Sequence, residues 1–129
     1  MTDQPTKKYE FVEGDTIKYR GRILKRIRAI RDFGEVEKGD LGGYIEKEEN
    51  LSHEGDCWVF HEAKVFEDAY INANANVRDY AKVYGEAEIS DEASVCDISE
   101  VFDSAVAMGG VVIQGSSKVC GVTIVDDPD

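Results

Sequence analysis

An aliphatic residue returns at every sixth position over the second half of the chain: Val59, Val65, Ile71, Val77, Val83, Ile89, Val95, Val101, then Ile113, Val119 and Val125, with Ala107 as the weak member. Four positions after each stands a small residue, running from Ala63, Ala69 and Ala75 to Ser117 and Thr123. Two positions after each, from Asp79 to Gly121, stands Asp or Gly. A helix cannot use this beat, because a six-residue period carries the apolar residue around the axis and builds no stripe. A hairpin sheet alternates every second residue and turns at longer intervals. Short strands joined by tight corners satisfy all three columns. The aliphatic residue points inward, the small one fills the taper, and Asp or Gly takes the turn, where φ can be unusual. Three units then close one coil, so the twelve units from Val59 to Val125 predict about four parallel coils. At ~4.8 Å per coil the column is about 19 Å tall.

These columns resemble the hexapeptide-repeat left-handed β-helix of many acyltransferases. The resemblance implies an all-β, single-stranded, left-handed parallel β-helix. Residues 9–50 have another texture. Tyr9–Val12, Thr16–Tyr19 and Arg22–Ile30 read as strands separated by turns at Gly14-Asp15 and Arg20-Gly21, and the Gly39–Gly43 turn leads into a strand at Tyr44-Ile45. On the third of these, Ile23, Ile27 and Ala29 are expected on one face and Leu24, Arg26 and Arg28 on the other. The expected division is an antiparallel β-meander cap over residues 1–50 and a β-helix over 51–129. A cap is needed because an open coil exposes Val side chains and unpaired backbone.

Ile30-Arg31-Asp32-Phe33-Gly34-Glu35-Val36, Gly39-Asp40-Leu41-Gly42-Gly43-Tyr44-Ile45, Asn50-Leu51-Ser52 and Gly55-Asp56-Cys57-Trp58-Val59 follow one another in order. This string resembles phage- and prophage-borne β-helix proteins of the YdcK-like group, loosely labelled transferase-like. It implies the fold and a phage or bacterial source, and it brings no catalytic residues with it.

The formal charge of −12 is uneven. Residues 1–50 hold 11 Lys/Arg and 11 Asp/Glu, and residues 51–129 hold 4 and 16. An acidic column repels phosphates, so neither membrane contact nor direct nucleic-acid binding is expected. It could attract a basic protein, or simply keep a repetitive β-surface soluble. Three cysteines without a CxxC pair fit reduced thiols in a cytosol, the host cytosol for a phage-encoded chain. The N-terminal residues through Lys8 have no apolar stretch of a secretory signal.

The sequence assigns no catalytic residue, metal or cofactor. Hexapeptide acyltransferases resemble this chain in fold but use a His base near an inserted loop, and the repeat from 59 to 125 has no insertion. With His53 and His61 alone, the chain cannot supply the three zinc ligands of β-helical carbonic anhydrases. His61, Asp79 and Asp97 lie eighteen residues apart and should stack in one acidic corner column. That column reads either as a His–Asp pair or cation site, or as His61 offsetting two turn aspartates, which is the expectation here. Asp32-Phe33-Gly34 lacks every companion of a kinase motif, and Gly42-Gly43 lacks the Lys-Ser/Thr and helix of a phosphate loop. The basic run from Lys18 to Arg31 is expected to pair with acidic groups of the column, its own or a neighbour's.

The outward side of the prism offers the candidate binding face. Phe66, Tyr84 and Phe102 should stack as an exposed aromatic ladder beside Lys64 and Lys82. That strip is the expected contact of a homo-oligomer, dimer or trimer, or of a partner. At the far end, either the acidic tail with Pro128 blunts the last coil or a second subunit covers it. The expected function is a non-enzymatic accessory or counter-defence protein of phage type. It would bind and block a host protein, for which a basic groove is one expected target, with its acidic surface mimicking nucleic acid. The alternative is an acyltransferase or nucleotide or small-ligand binder with its pocket between subunits.

Overall fold

In a computed structural model, residues 7–127 are described, and these form an all-β solenoid of parallel stacked coils with an antiparallel meander at its start. Residues 1–6 and Pro128, on which the signal and end-blunting expectations partly fall, lie outside the described residues. No helix among the described residues is long and apolar enough to cross a membrane.

The meander consists of β1 (Tyr9–Tyr19), β2 (Arg22–Ala29) and β3 (Leu41–Ile45). Gly14-Asp15 does not end a strand, as expected, but sits in a bulge. The pairing passes from Phe11↔Ile27 to Thr16↔Lys25, so β1 runs through it. With Gly14 at φ +83, the extra residues fold out without breaking the ladder. A second irregularity between Arg26 and Arg28 shifts the register of β2 against β3. The two faces of β2 divide as expected: Ile27 and Ala29 enter the core of the prism, and Leu24 lies on the other face against Tyr44 and Phe66, while Ile23 is exposed.

Twelve short strands build the prism: β4 (Trp58–Val59), β5 (Lys64–Val65), β6 (Tyr70–Ile71), β7 (Asn76–Val77), β8 (Lys82–Val83), β9 (Glu88–Ile89), β10 (Ser94–Val95), β11 (Glu100–Val101), β12 (Val106–Gly109), β13 (Val112–Ile113), β14 (Lys118–Val119) and β15 (Ile124–Asp127). They form three parallel faces: β4-β7-β10-β13, β6-β9-β12-β15, and β5-β8-β11-β14. The last face continues through β3, β2 and β1 into one seven-stranded sheet. Meander and solenoid are therefore hydrogen-bonded to each other.

The solenoid starts one coil earlier than the beat suggests, giving about five turns rather than four. Ile45 pairs with Val65, and Leu51 bridges to Ile71, so both take inward positions of a first coil. Eight residues rather than six separate Leu51 from Val59, which hides this coil from the repeat. Gly42 and Gly43 let it close. A Cβ on Gly43 would stand 2.5 Å from the Ala63 carbonyl oxygen. The inward aliphatics from Ile45 to Val101 and the corner alanines from Ala63 to Ala105 are buried as one cluster.

Each corner uses the same local geometry. The residue two after the inward aliphatic has positive φ at His61, Glu67, Ala73, Asp79, Asp91, Asp97 and Asp103, and glycine takes the same place at 85, 109, 115 and 121. A left-handed L-residue costs roughly 1–2 kcal/mol, and Asp bears this best because its short side chain bonds nearby backbone.

Candidate functional site

The acidic corner column forms as expected, and its hydrogen bonds identify its work. The Asp79 N–H donates to His61 Nδ1 at 3.2 Å, the Asp97 N–H to Asp79 Oδ2 at 3.0 Å, and the Gly115 N–H to Asp97 Oδ2 at 2.8 Å. Each side chain thus accepts the turn N–H of the next coil. The other corners repeat this, with Gly109 donating to Asp91 and Gly121 to Asp103. The column is a structural ladder that ties coil to coil. Asp79, Cys96 and Asp97 do bring donor atoms within 4.8 Å of one another, a cluster that the beat does not announce. Burial, with Asp97 and Asp79 nearby, pushes the Cys96 thiol up and keeps it protonated.

A substitution separates the two roles. Asp97→Ala is expected to cost about 1 kcal/mol through the lost acceptor. Asp97→Asn, which keeps an acceptor and tolerates positive φ, should stay near the parent midpoint in urea, with or without divalent cations. Stabilisation of the parent by a divalent cation, lost in Asp97→Asn, would reverse the assignment.

The aromatic ladder also forms. Phe66, Tyr84 and Phe102 stack at 4.9 and 5.0 Å with their planes within 6°. Phe66, however, is not open to solvent. It is 1% exposed, lying beneath Leu24, Tyr44 and the edge of Tyr19. The β1–β2 hairpin folds over the outer face of the prism and uses the first rung as its seat. Arg20 lies 4.9 Å from the Tyr84 ring, and Lys64 lies 5.3 Å from that of Tyr19 with Lys82 just beyond. Tyr84 donates to Glu100 at 2.7 Å. Only Tyr84 and Phe102 of the ladder keep part of their surface toward solvent.

The basic run is largely spent inside the chain. Arg22 pairs with Glu46 and Glu67, Arg26 with Asp15 and Glu62, and Arg28 with Glu10. Lys47–Asp68 is the last Lys or Arg pair along the sequence, and among the described residues no carboxylate after Asp68 has such a partner. Beyond Asp79 the acid is thus mostly without ion pairs among the described residues, with Lys82 and Lys118 flanking Glu100 in the ladder as a local offset.

Both imidazoles have structural tasks. His53 stacks on Tyr9 at 4.1 Å, and its Nδ1 accepts the Lys8 N–H. Burial holds its pKa below the ordinary value. His61 Nδ1 belongs to the corner ladder. The three cysteines are free thiols, grading from buried Cys57 to exposed Cys120.

One concavity was not announced by the beat. It occupies about 400 Å³ on the outer side of the β4-β7-β10 face. Phe60 and Arg78, in one outward column, form its floor with Asn76, while the turn Gly34–Val36 overhangs it. That turn is held by the Phe33–Val36 bridge and by Phe33 edge-on to Trp58 at 5.2 Å. Arg78 lies over the Phe60 ring at 5.0 Å, and its Nε donates to Asn76 Oδ1 at 3.0 Å. Phe60 and Arg78, being eighteen residues apart, could have been paired from the repeat, but the overhanging turn has no repeat signal.

No protein-family model matches this chain. A 53-residue segment is 42% identical to the "Uncharacterized acetyltransferase YdcK" of Escherichia coli strain K12, covering 40% of this chain and 16% of that protein.

Proposed function

We propose that the chain is a non-enzymatic interaction protein of the cytosol whose acidic solenoid occupies a basic groove on a partner protein, as a nucleic-acid mimic would. The observation that carries this reading is the segregation of charge. Arg22, Arg26 and Arg28 of the meander pair with carboxylates of the meander and first coils, while among the described residues no carboxylate of the later coils has a Lys or Arg ion pair. Such a surface steers oppositely charged partners over distance. The half-open Tyr84 and Phe102 would add an apolar contact, to that partner or to a second copy.

The expected result is a basic protein retained from lysate whose affinity falls at least about tenfold between about 50 and 200 mM salt. Glu86→Lys with Glu88→Lys should weaken the same complex. Binding indifferent to salt and to both reversals would sink this reading. The relative's name suggests acetyl transfer as a second reading, with the cleft as geometric support. The ring nitrogens a base would use are partly committed, since Nδ1 of both His53 and His61 accepts a backbone N–H. Thermal stabilisation by acetyl-CoA would favour that reading.

A further inference from the structure

From the polar groups of the cleft under the Gly34–Val36 turn, we infer that it is a binding site for a neutral polyhydroxylated ligand, a mono- or disaccharide. This goes beyond the charge reading and does not depend on it. The volume of about 400 Å³ falls in the range of small-ligand sites. Its walls are formed in advance. The backbone at Gly34 approaches Asp56 so closely that an added Cβ would lie 3.2 Å from the carboxylate side chain, and Asn74 Oδ1 accepts the Asp56 N–H at 3.1 Å.

The polar groups of the cleft face solvent with hydrogen-bonding capacity that the protein leaves unused. Asn74 and Asn76 use their oxygens on backbone and on Arg78, and Arg78 uses Nε on Asn76. Among the described residues, the two Nδ2 amide groups and the Arg78 Nη groups have no acceptor within the protein. Glu35, Asp56 and Glu92 likewise line the cleft with no ion pair among the described residues. The site thus presents donors from the floor and acceptors from the rim around the Phe60–Arg78 stack.

Charge then selects the ligand class. Three carboxylates against one guanidinium make the cleft net negative, which disfavours phosphates and other anions. The floor guanidinium opposes a simple cation. A hydroxyl both donates and accepts, so adjacent ring hydroxyls can serve both groups. They do so without the desolvation cost of an ion.

The test is a titration of isotope-labelled full-length protein, followed by NMR, with glucose, N-acetylglucosamine and maltose, against lysine and glutamate. At least one sugar should shift the Asn74 and Asn76 side-chain amide signals saturably. Asn76→Ala and Arg78→Met should each weaken it by about tenfold, the loss of one or two ligand hydrogen bonds. Arg78→Met keeps an apolar stem over Phe60, so it separates lost donors from lost packing. If a variant does not fold, the shift map of the parent protein decides. The inference is overturned if no sugar shifts these amides, if lysine or glutamate does so instead, or if folded variants bind unchanged.

Discussion

A Val83→Asp chain is expected to lose cooperative unfolding, whereas Val122→Asp should unfold like the parent. Both are valines of the same repeat region, but Val83 is 0% exposed and Val122 is 93% exposed. Val83 sits on β8 between Val65 and Val101, its counterparts in the adjoining coils. A carboxylate there would face stacked Val, Ile and Ala side chains with no donor in reach. An unpaired buried charge costs at least several kcal/mol, even after relaxation. Domains of this size hold only about 5–15 kcal/mol in total. A protonated Asp would still bury an unpaired carboxyl, at a cost of roughly 2–7 kcal/mol. Circular dichroism in urea checks this. A sharp transition for Val83→Asp near the parent midpoint would mean that the six-residue beat does not set the inside of the column.

That contrast marks what can be read from the residues alone. The beat fixes which side chains point inward, because each coil repeats one steric problem. The same problem places positive φ two residues later, so the Asp and Gly column was legible as a turn. Its second role was not. Coil-to-coil acceptance by Asp79 and Asp97 depends on the backbone of the next coil, which no local pattern states. The first coil was hidden because the Leu51–Val59 spacing breaks the period, and only the pairing of Ile45 with Val65 reveals it. The bulge in β1 has a similar cause, since Gly14-Asp15 gives the same local signal whether the chain reverses or only swells. The aromatic ladder was visible in the sequence. Its coverage was not, because the hairpin that buries Phe66 comes from about forty residues upstream.

The hairpin and the first coil depend on each other, and this shapes the response to damage. Solenoids are close to one-dimensional, so each coil is supported mainly by its neighbours. The first coil has no coil before it and relies on the meander. Leu24 covers the outside at Phe66, while Tyr9 and Ile27 close the inside. A defect here is expected to open the first coil before the coils around Val101.

Lys8→Ala is expected to produce that local opening, with a loss of about 3 kcal/mol. The Lys8 side chain is 0% exposed, an unusual state for an ammonium group. Its Nζ donates to the Cys57 carbonyl at 2.7 Å, to the Gly55 carbonyl at 3.1 Å and to Cys57 Sγ at 3.4 Å, and it lies 4.6 Å from the centre of the Phe33 ring. Burial lowers its pKa, and the same burial raises that of the Cys57 thiol. The group reaches into the irregular corner between Leu51 and Val59, where its Nζ adds to the coil-to-coil bonds from the Ser52, Asp56 and Cys57 N–H groups. Alanine would strip the donor from the buried Cys57 carbonyl, worth about 1–3 kcal/mol, and from the partly exposed Gly55 carbonyl, and would leave a void under Phe33. Lys8→Met restores the stem without the donors, so the gap between Met and Ala reports packing and the gap between Met and the parent reports hydrogen bonding. In both variants, amide hydrogen exchange should quicken first at the first coil, with Val83 and Val101 still protected. A parent-like midpoint in both, or uniform loss of protection along the column, would remove Lys8 as the pin of the first coil.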